Sequence, residues 1–279
     1  MAQNKIAQFF APRDMTVGST TSAIVQFTVP LLIGNIAQQL YSTVDSIVVG
    51  HYVGDNALAA VGASGPVNNL LLVLFVGIST GAGIMVSQYF GARDRKLLSK
   101  AIGNTMVLTL LVGILMTVGG VLLSRPFLEL LDTPPEIVDM AADYLRIIFI
   151  GIIGFAFYNI LSGILRGLGD SFMPLVFLLV CSAMNTVLDV WFVAGLKMGV
   201  AGAAWATILS WAVSAVLCLI KILRMRDELV LNRRAFQLDG KLCKELIFLG
   251  LPSGATQAVF SLSMLVVQSL TNSLGTDVI

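Results

Sequence analysis

Two aspartates stand where water is scarce: Asp45 in YSTVDSIVVG and Asp189 in MNTVLDVWFV, each inside a long apolar run. Both belong to polar stripes with helical spacing. Asn35, Gln38, Ser42 and Asp45 are separated by three, four and three residues, which puts them on one face of a helix. Ser182, Asn185 and Asp189 repeat the spacing of three and four, and Thr207, Ser210 and Ser214 form a third such stripe. An ionised aspartate at mid-membrane costs about 2.5 to 3.5 kcal/mol on insertion scales, so two of them mark a function rather than decoration. Carboxylates with amide and hydroxyl neighbours offer hard oxygen ligands to a sodium ion, or they hold a proton. Either loading removes like-charge repulsion and lets the helices close, which would couple ion entry to a change of shape.

Depth points the same way. Asp45 lies five residues before Gly50, Asp189 six before Gly195, and Thr207 eight after Gly199. At about 1.5 Å of rise per residue, these offsets place them about 8, about 9 and about 12 Å below the outer helix ends. Groups far apart in sequence then share one level of the membrane, where neighbouring helices can bring them together.

The elements that must hold these residues follow from composition. The chain has 57% hydrophobic and only 12% charged residues, with a mean hydropathy of +0.89, which fits an all-α membrane protein. A spanning helix needs about 20 mainly apolar residues. Seven runs qualify, at 22–50, 58–90, 101–124, 137–165, 171–196, 199–223 and 243–272. They are too long and too evenly apolar for barrel strands. The first is too long for a signal-peptide core and lacks an A-x-A ending, so it is expected to stay as a span. Fourteen of the seventeen lysines and arginines fall on one side of this arrangement, leaving Arg125 and Lys197 on the other and Arg146 within the fourth run. That bias predicts a cytoplasmic N-terminus. The net charge of +1 predicts no nucleic-acid partner.

Other polar residues have plainer expectations. His51, the lone histidine, reads as outer loop surface, and Cys181, Cys218 and Cys243 read as small buried hydrophobes without disulfide or metal spacing. Asp139, Asp143 and Arg146 are spaced four and three and read as a local ion-pair face. The eleven methionines read as packing, and the basic stretch 224–242 as a cytoplasmic linker near anionic headgroups. No serine–histidine pairing, metal cluster or nucleotide loop supports an enzyme, and no cofactor is expected. A weak internal repeat sets Pro30, Asn35 and Gly54 against Pro252, Gln257 and Gly275, as if a second lobe opened after the linker.

The segments PLLIGNIAQQLYSTVDSIVVGHYVGDNALAAVG, GISTGAGIMVSQYFGARD, ILRGLGDSFMP, MNTVLDVWFV, GVAGAAWAT and FLGLPSG, in this order, resemble the multidrug and toxic compound extrusion (MATE) transporters over nearly the whole chain. The resemblance implies a six-helix N-terminal lobe of a two-lobe fold, exporting cationic and amphipathic drug-like compounds against sodium or protons across the plasma membrane. It places the coupling-ion site on Asp45, Asn185, Asp189 and Thr207. It also makes Pro30 a bending point and Tyr41 and Asn159 members of the conformational network. The implied organisation is a cytoplasmic segment 1–21, the N-lobe 22–223, the linker 224–242 and the first helix of a second lobe at 243–279. Such a chain is expected to be a truncated product that needs the remaining C-terminal helices for transport. The region after Pro252 carries no aspartate corresponding to Asp45, so the two lobes are not equivalent. Two other functions fit the helix count or architecture. A lipid-linked oligosaccharide flippase would need cations for an anionic substrate, with Arg146 the cation inside a span. A seven-helix receptor of the retinal type would need a lysine within its last helix, where only Lys244 stands, at its mouth.

Overall fold

The computed structural model describes residues 20–131, 133–225 and 235–273. Among them every regular element is helical. Helix α1 spans Thr20–Tyr52, and Gly54 (φ 105°) turns the chain into the short α2, Asp55–Ala63, with a backbone angle that suits glycine. Helix α3 follows over Gly65–Gly91, and α4 over Arg95–Leu130. Asp94 caps α4, its carboxylate accepting from the Lys96 and Leu97 amides at 3.1 and 2.9 Å. Helices α5 (Pro135–Ile150) and α6 (Ile152–Gly167) meet at Gly151 and together make one span. Helix α7, Phe172–Asp189, runs into a π-helical turn at Val190–Gly195. Helices α8, Gly199–Arg224, and α9, Gly240–Ser273, complete the order.

Six helical stretches among the described residues are long and apolar enough to cross a membrane. Seven were expected. The remaining expected run is α1, whose 33 residues are long enough to span and carry the polar stripe of Asn35, Gln38 and Asp45. The run expected at 58–90 is also broken. Pro66 has no amide proton and starts a helix well but cannot continue one, so α2 stops at Ala63 and a new helix, α3, begins at Gly65. The third run is longer than expected, because α4 extends to both sides of 101–124. Lys5, Arg13, Arg226, Arg233, Arg234 and Gly275 lie outside the described residues.

Packing proceeds from helix to helix: α9 lies along α3, α3 on α6, α6 on α8, α8 on α7, and α7 on α1, while α4 covers α5 and α6. The main core sits at the α5–α6 span, where Leu145, Ile148, Ile152, Ile160, Leu161, Ile164 and Leu165 are fully enclosed. A second cluster joins Val48 and Val49 of α1 to Ile148 of α5 and Ala204 and Ile208 of α8. That cluster fixes α1 against the helices that carry the other polar stripes. Three long helices, α1 with Pro30, α4 with Pro126 and α9 with Pro252, continue through an internal proline.

Candidate ion site

Asp45 comes from the second half of α1, Asn185 and Asp189 from the last turns of α7, and Thr207 from the second turn of α8. The fold brings them to one place. The carboxyls of Asp45 and Asp189 are close neighbours, and Tyr41 stands beside them and Thr207. Asn185 is 1% exposed, Asp189 0% and Thr207 5%, and Asp45 is half-buried. Oδ1 of Asp45, both oxygens of Asp189 and both polar atoms of Asn185 are buried without a hydrogen-bond partner among the described residues. Buried polar atoms are normally satisfied, and leaving one unpaired costs about 1 to 3 kcal/mol, so five orphans in one spot make it a candidate binding site. Four of them can accept: three carboxylate oxygens and one amide oxygen. That donor set suits a small hard cation, and the two adjacent carboxyls also suit one shared proton.

The three sequence stripes converge, with corrections. Gln38, Tyr41 and Asp45 form the working face of α1, and Gln38 and Tyr41 line a void of about 30 Å³ with Ser182, Ser210 and Ser214. A void of that size has room for about one water. Ser42 is not on this face. It is exposed and donates to the Gln38 carbonyl of its own helix at 3.2 Å. Asn35 lines a different cleft, between α1, α3 and α6. Asn159 sits on α6, with its side-chain amide donating to the Phe155 carbonyl at 2.9 Å. Pro30 is buried within α1, about four turns before Asp45.

Two features escape a reading by polar spacing. Tyr144 of α5 is 5% exposed and close enough to interact with Asp45, Tyr41 and Asp189. Its neighbours Asp143 and Arg146 draw attention in sequence, yet it is the tyrosine that faces the site. The π-helical turn begins one residue after Asp189, with the Leu196 amide reaching back to the Trp191 carbonyl at 2.8 Å. Such turns widen a helix and occur often at functional sites.

The expected local ion-pair face divides. Arg146 pairs with Asp143 at 3.0 Å, but Asp139 reaches instead to Arg125 at 3.0 Å, joining α5 to α4. His51 is exposed, and Cys181 and Cys218 are buried free thiols. Among the described residues no three histidines, cysteines, aspartates or glutamates are grouped to hold a metal. A site of two carboxylates completed by amide and hydroxyl oxygens is a different design from such a cluster.

Residues 30–191 match the MatE family model. The chain belongs to the MatE family. It is 32% identical over 267 residues to the Probable multidrug resistance protein YpnP of Bacillus subtilis, covering 95% of this chain and 59% of that one. To the Probable multidrug resistance protein YoeA of the same organism it is 30% identical, covering 90% and 56%. Among solved structures it is similar to a MOP superfamily transporter from Pyrococcus furiosus (30% identity, TM-score 0.84, 91% of this chain and 56% of that one). It is similar also to MATE in complex with MaD3S (30% identity, TM-score 0.85, 92% and 58%). The chain thus spans little more than half the length of the relatives it matches. MatE proteins are transporters, which sets aside the enzyme and receptor classes.

Proposed function

We propose that this MatE chain carries the coupling-ion site of a multidrug antiporter, in which sodium or protons entering at Asp45 and Asp189 drive export of cationic and amphipathic compounds across the plasma membrane. The observation that supports it is the buried pair of facing carboxyls with orphaned oxygens beside Asn185 and Thr207. Empty, the pair repels itself. A bound cation or a proton cancels that repulsion, draws α1 toward α7 and α8, and so favours one arrangement of the lobe over the other. Export of a cationic substrate follows as the counter-movement. The N-terminus is assigned to the cytoplasm on the positive side of the loops, where Arg93, Arg95, Lys96 and Lys221 cluster. The flippase alternative rests on Arg146, which is committed to Asp143 and stands away from the site.

The test is ion binding by the purified chain, measured with radioactive sodium and by proton release on sodium addition. Saturable binding that Asp45→Asn and Asp189→Asn each abolish supports the site. Unchanged sodium binding and proton release in both variants would refute it.

A further inference from the structure

A second, larger concavity lies along the first half of α1, at residues 27–35, whereas the ion site lies along its second half. It is a cleft of about 600 Å³ between α1, α3 and α6, walled by Phe27, Leu31, Val76, Ile84 and Phe90. The cleft has a single charged lining residue, Arg166. It stands one residue past the expected end of the fourth run at 165, but lies in the last turn of α6, inside the apolar span Pro135–Gly167.

The guanidinium is under-used. It has five N–H donors, and among the described residues its one hydrogen bond runs from Nη2 to the Ser79 hydroxyl at a long 3.4 Å. Ser79 gives its own proton to the Asn159 carbonyl at 2.6 Å. Among the described residues Arg166 makes no ion pair. The acid nearest in sequence, Asp170, is already engaged: its enclosed carboxylate meets Lys221 at 3.4 Å and accepts from the Met173 amide at 3.0 Å. Beside it α3 and α6 touch backbone to backbone, and the guanidinium also stands near Tyr158 and Cys218. A Cβ on Gly163 would stand 2.5 Å from the Ser79 carbonyl oxygen, and one on Gly167 would stand 2.6 Å from that of Gly83. As a lining residue of the cleft, the arginine offers it the remaining donors.

We propose that this cleft binds an amphipathic anion, with a phosphate or carboxylate head on Arg166 beside Ser79 and an apolar body along the walls of α1 and α3. An unpaired guanidinium at membrane depth needs an anionic partner. Its fork of donors matches phosphate or carboxylate oxygens. The apolar walls exclude a bare inorganic anion as the natural occupant. The cleft ends at Gly91, next to the turn that carries Arg93 and Arg95, so the same end of the lobe is electropositive and draws anionic headgroups.

The whole purified chain in detergent is titrated with dihexanoyl phosphatidylglycerol, dihexanoyl phosphatidylcholine, 2-naphthoate and inorganic phosphate. At least tenfold tighter binding of phosphatidylglycerol than of phosphatidylcholine is expected, with the difference erased in Arg166→Gln and partly kept in Arg166→Lys. If phosphatidylglycerol outbinds naphthoate, the anion is a membrane lipid; the reverse order identifies a transported acid, and both support the shared chemistry. Equal binding of the two lipids overturns the proposal, as does inorganic phosphate binding as tightly as the amphiphiles. Unaltered binding in an Arg166→Gln chain of normal helical content also overturns it. Should that variant lose helical content, Ser87→Phe decides: Ser87 is exposed at the cleft, where a phenyl ring obstructs it, so lost binding supports and unchanged binding overturns. Asp45, Asn185, Asp189 and Thr207 do not line this cleft, so failure here leaves the ion site standing.

Discussion

Asp189 has no exposed surface, whereas Asp45 is half-buried, and the two carboxyls face each other with their remaining oxygens unsatisfied. In the absence of an ion this pair is a local source of instability. Replacing either acid by its isosteric amide relieves the repulsion, so Asp45→Asn and Asp189→Asn are each expected to raise the melting temperature in sodium-free buffer. The wild-type chain should instead gain stability as sodium is added, by about 1.4 kcal/mol at ten times its dissociation constant, and the amide variants should gain nothing. Thermal scans with and without sodium check both statements. Protons compete for the same oxygens, so sodium binding should fall as pH falls, and the amide variants should show no such competition. Thr207 contributes a neutral hydroxyl. Thr207→Val is expected to weaken sodium binding roughly fivefold, the equivalent of about 1 kcal/mol, while proton uptake by the carboxyls persists.

Helices place these residues with a tolerance that periodicity alone does not supply. The stripes of α7 and α8 were legible because Ser182, Asn185 and Asp189, and likewise Thr207, Ser210 and Ser214, are the polar exceptions in apolar runs. On α1, polarity misled: Ser42 satisfies itself on its own helix, and the adjacent Tyr41 stands beside Thr207. A tyrosine looks apolar to a hydropathy count, and Tyr144 was missed for that reason. The π-helical turn in VWFVAG has no polar residue to announce it. The fourth apolar run stops at 165 because Arg166 ends its apolar stretch, although the helix holds this residue in its last turn. Two contacts between elements carry consequences of their own. Lys221 of α8 neutralises the enclosed Asp170 that precedes α7, and Lys221→Met should destabilise the chain by about 3 kcal/mol, because it leaves a buried charge unpaired. Chemical denaturation in detergent measures that loss. Helix α9 lies on α3 with no room for a side chain between them: a Cβ on Gly250 would stand 2.5 Å from the Gly77 carbonyl oxygen. Gly250→Leu should lift α9 away and lengthen the distance between spin labels at the exposed Gln88 and Lys244, which flank the hydrogen bond from Tyr89 to Glu245.

At the scale of the molecule, the second half of α1 presents Gln38, Tyr41 and Asp45 to α7 and α8, and its first half lines the cleft that holds Arg166. A movement of α1 therefore alters both places at once. Pro30 removes one backbone hydrogen bond within this helix, which lowers the cost of bending it there. The family likeness, the six apolar helices and the enclosed α5–α6 core describe a stable frame on which α1 can shift. The measurement that bears most directly on the central claim is the infrared difference spectrum of the purified chain on adding sodium, repeated on acidification. The account predicts changes in carboxylate stretching bands that disappear in the Asp45→Asn, Asp189→Asn double variant. Identical difference spectra from the wild type and the double variant would contradict it.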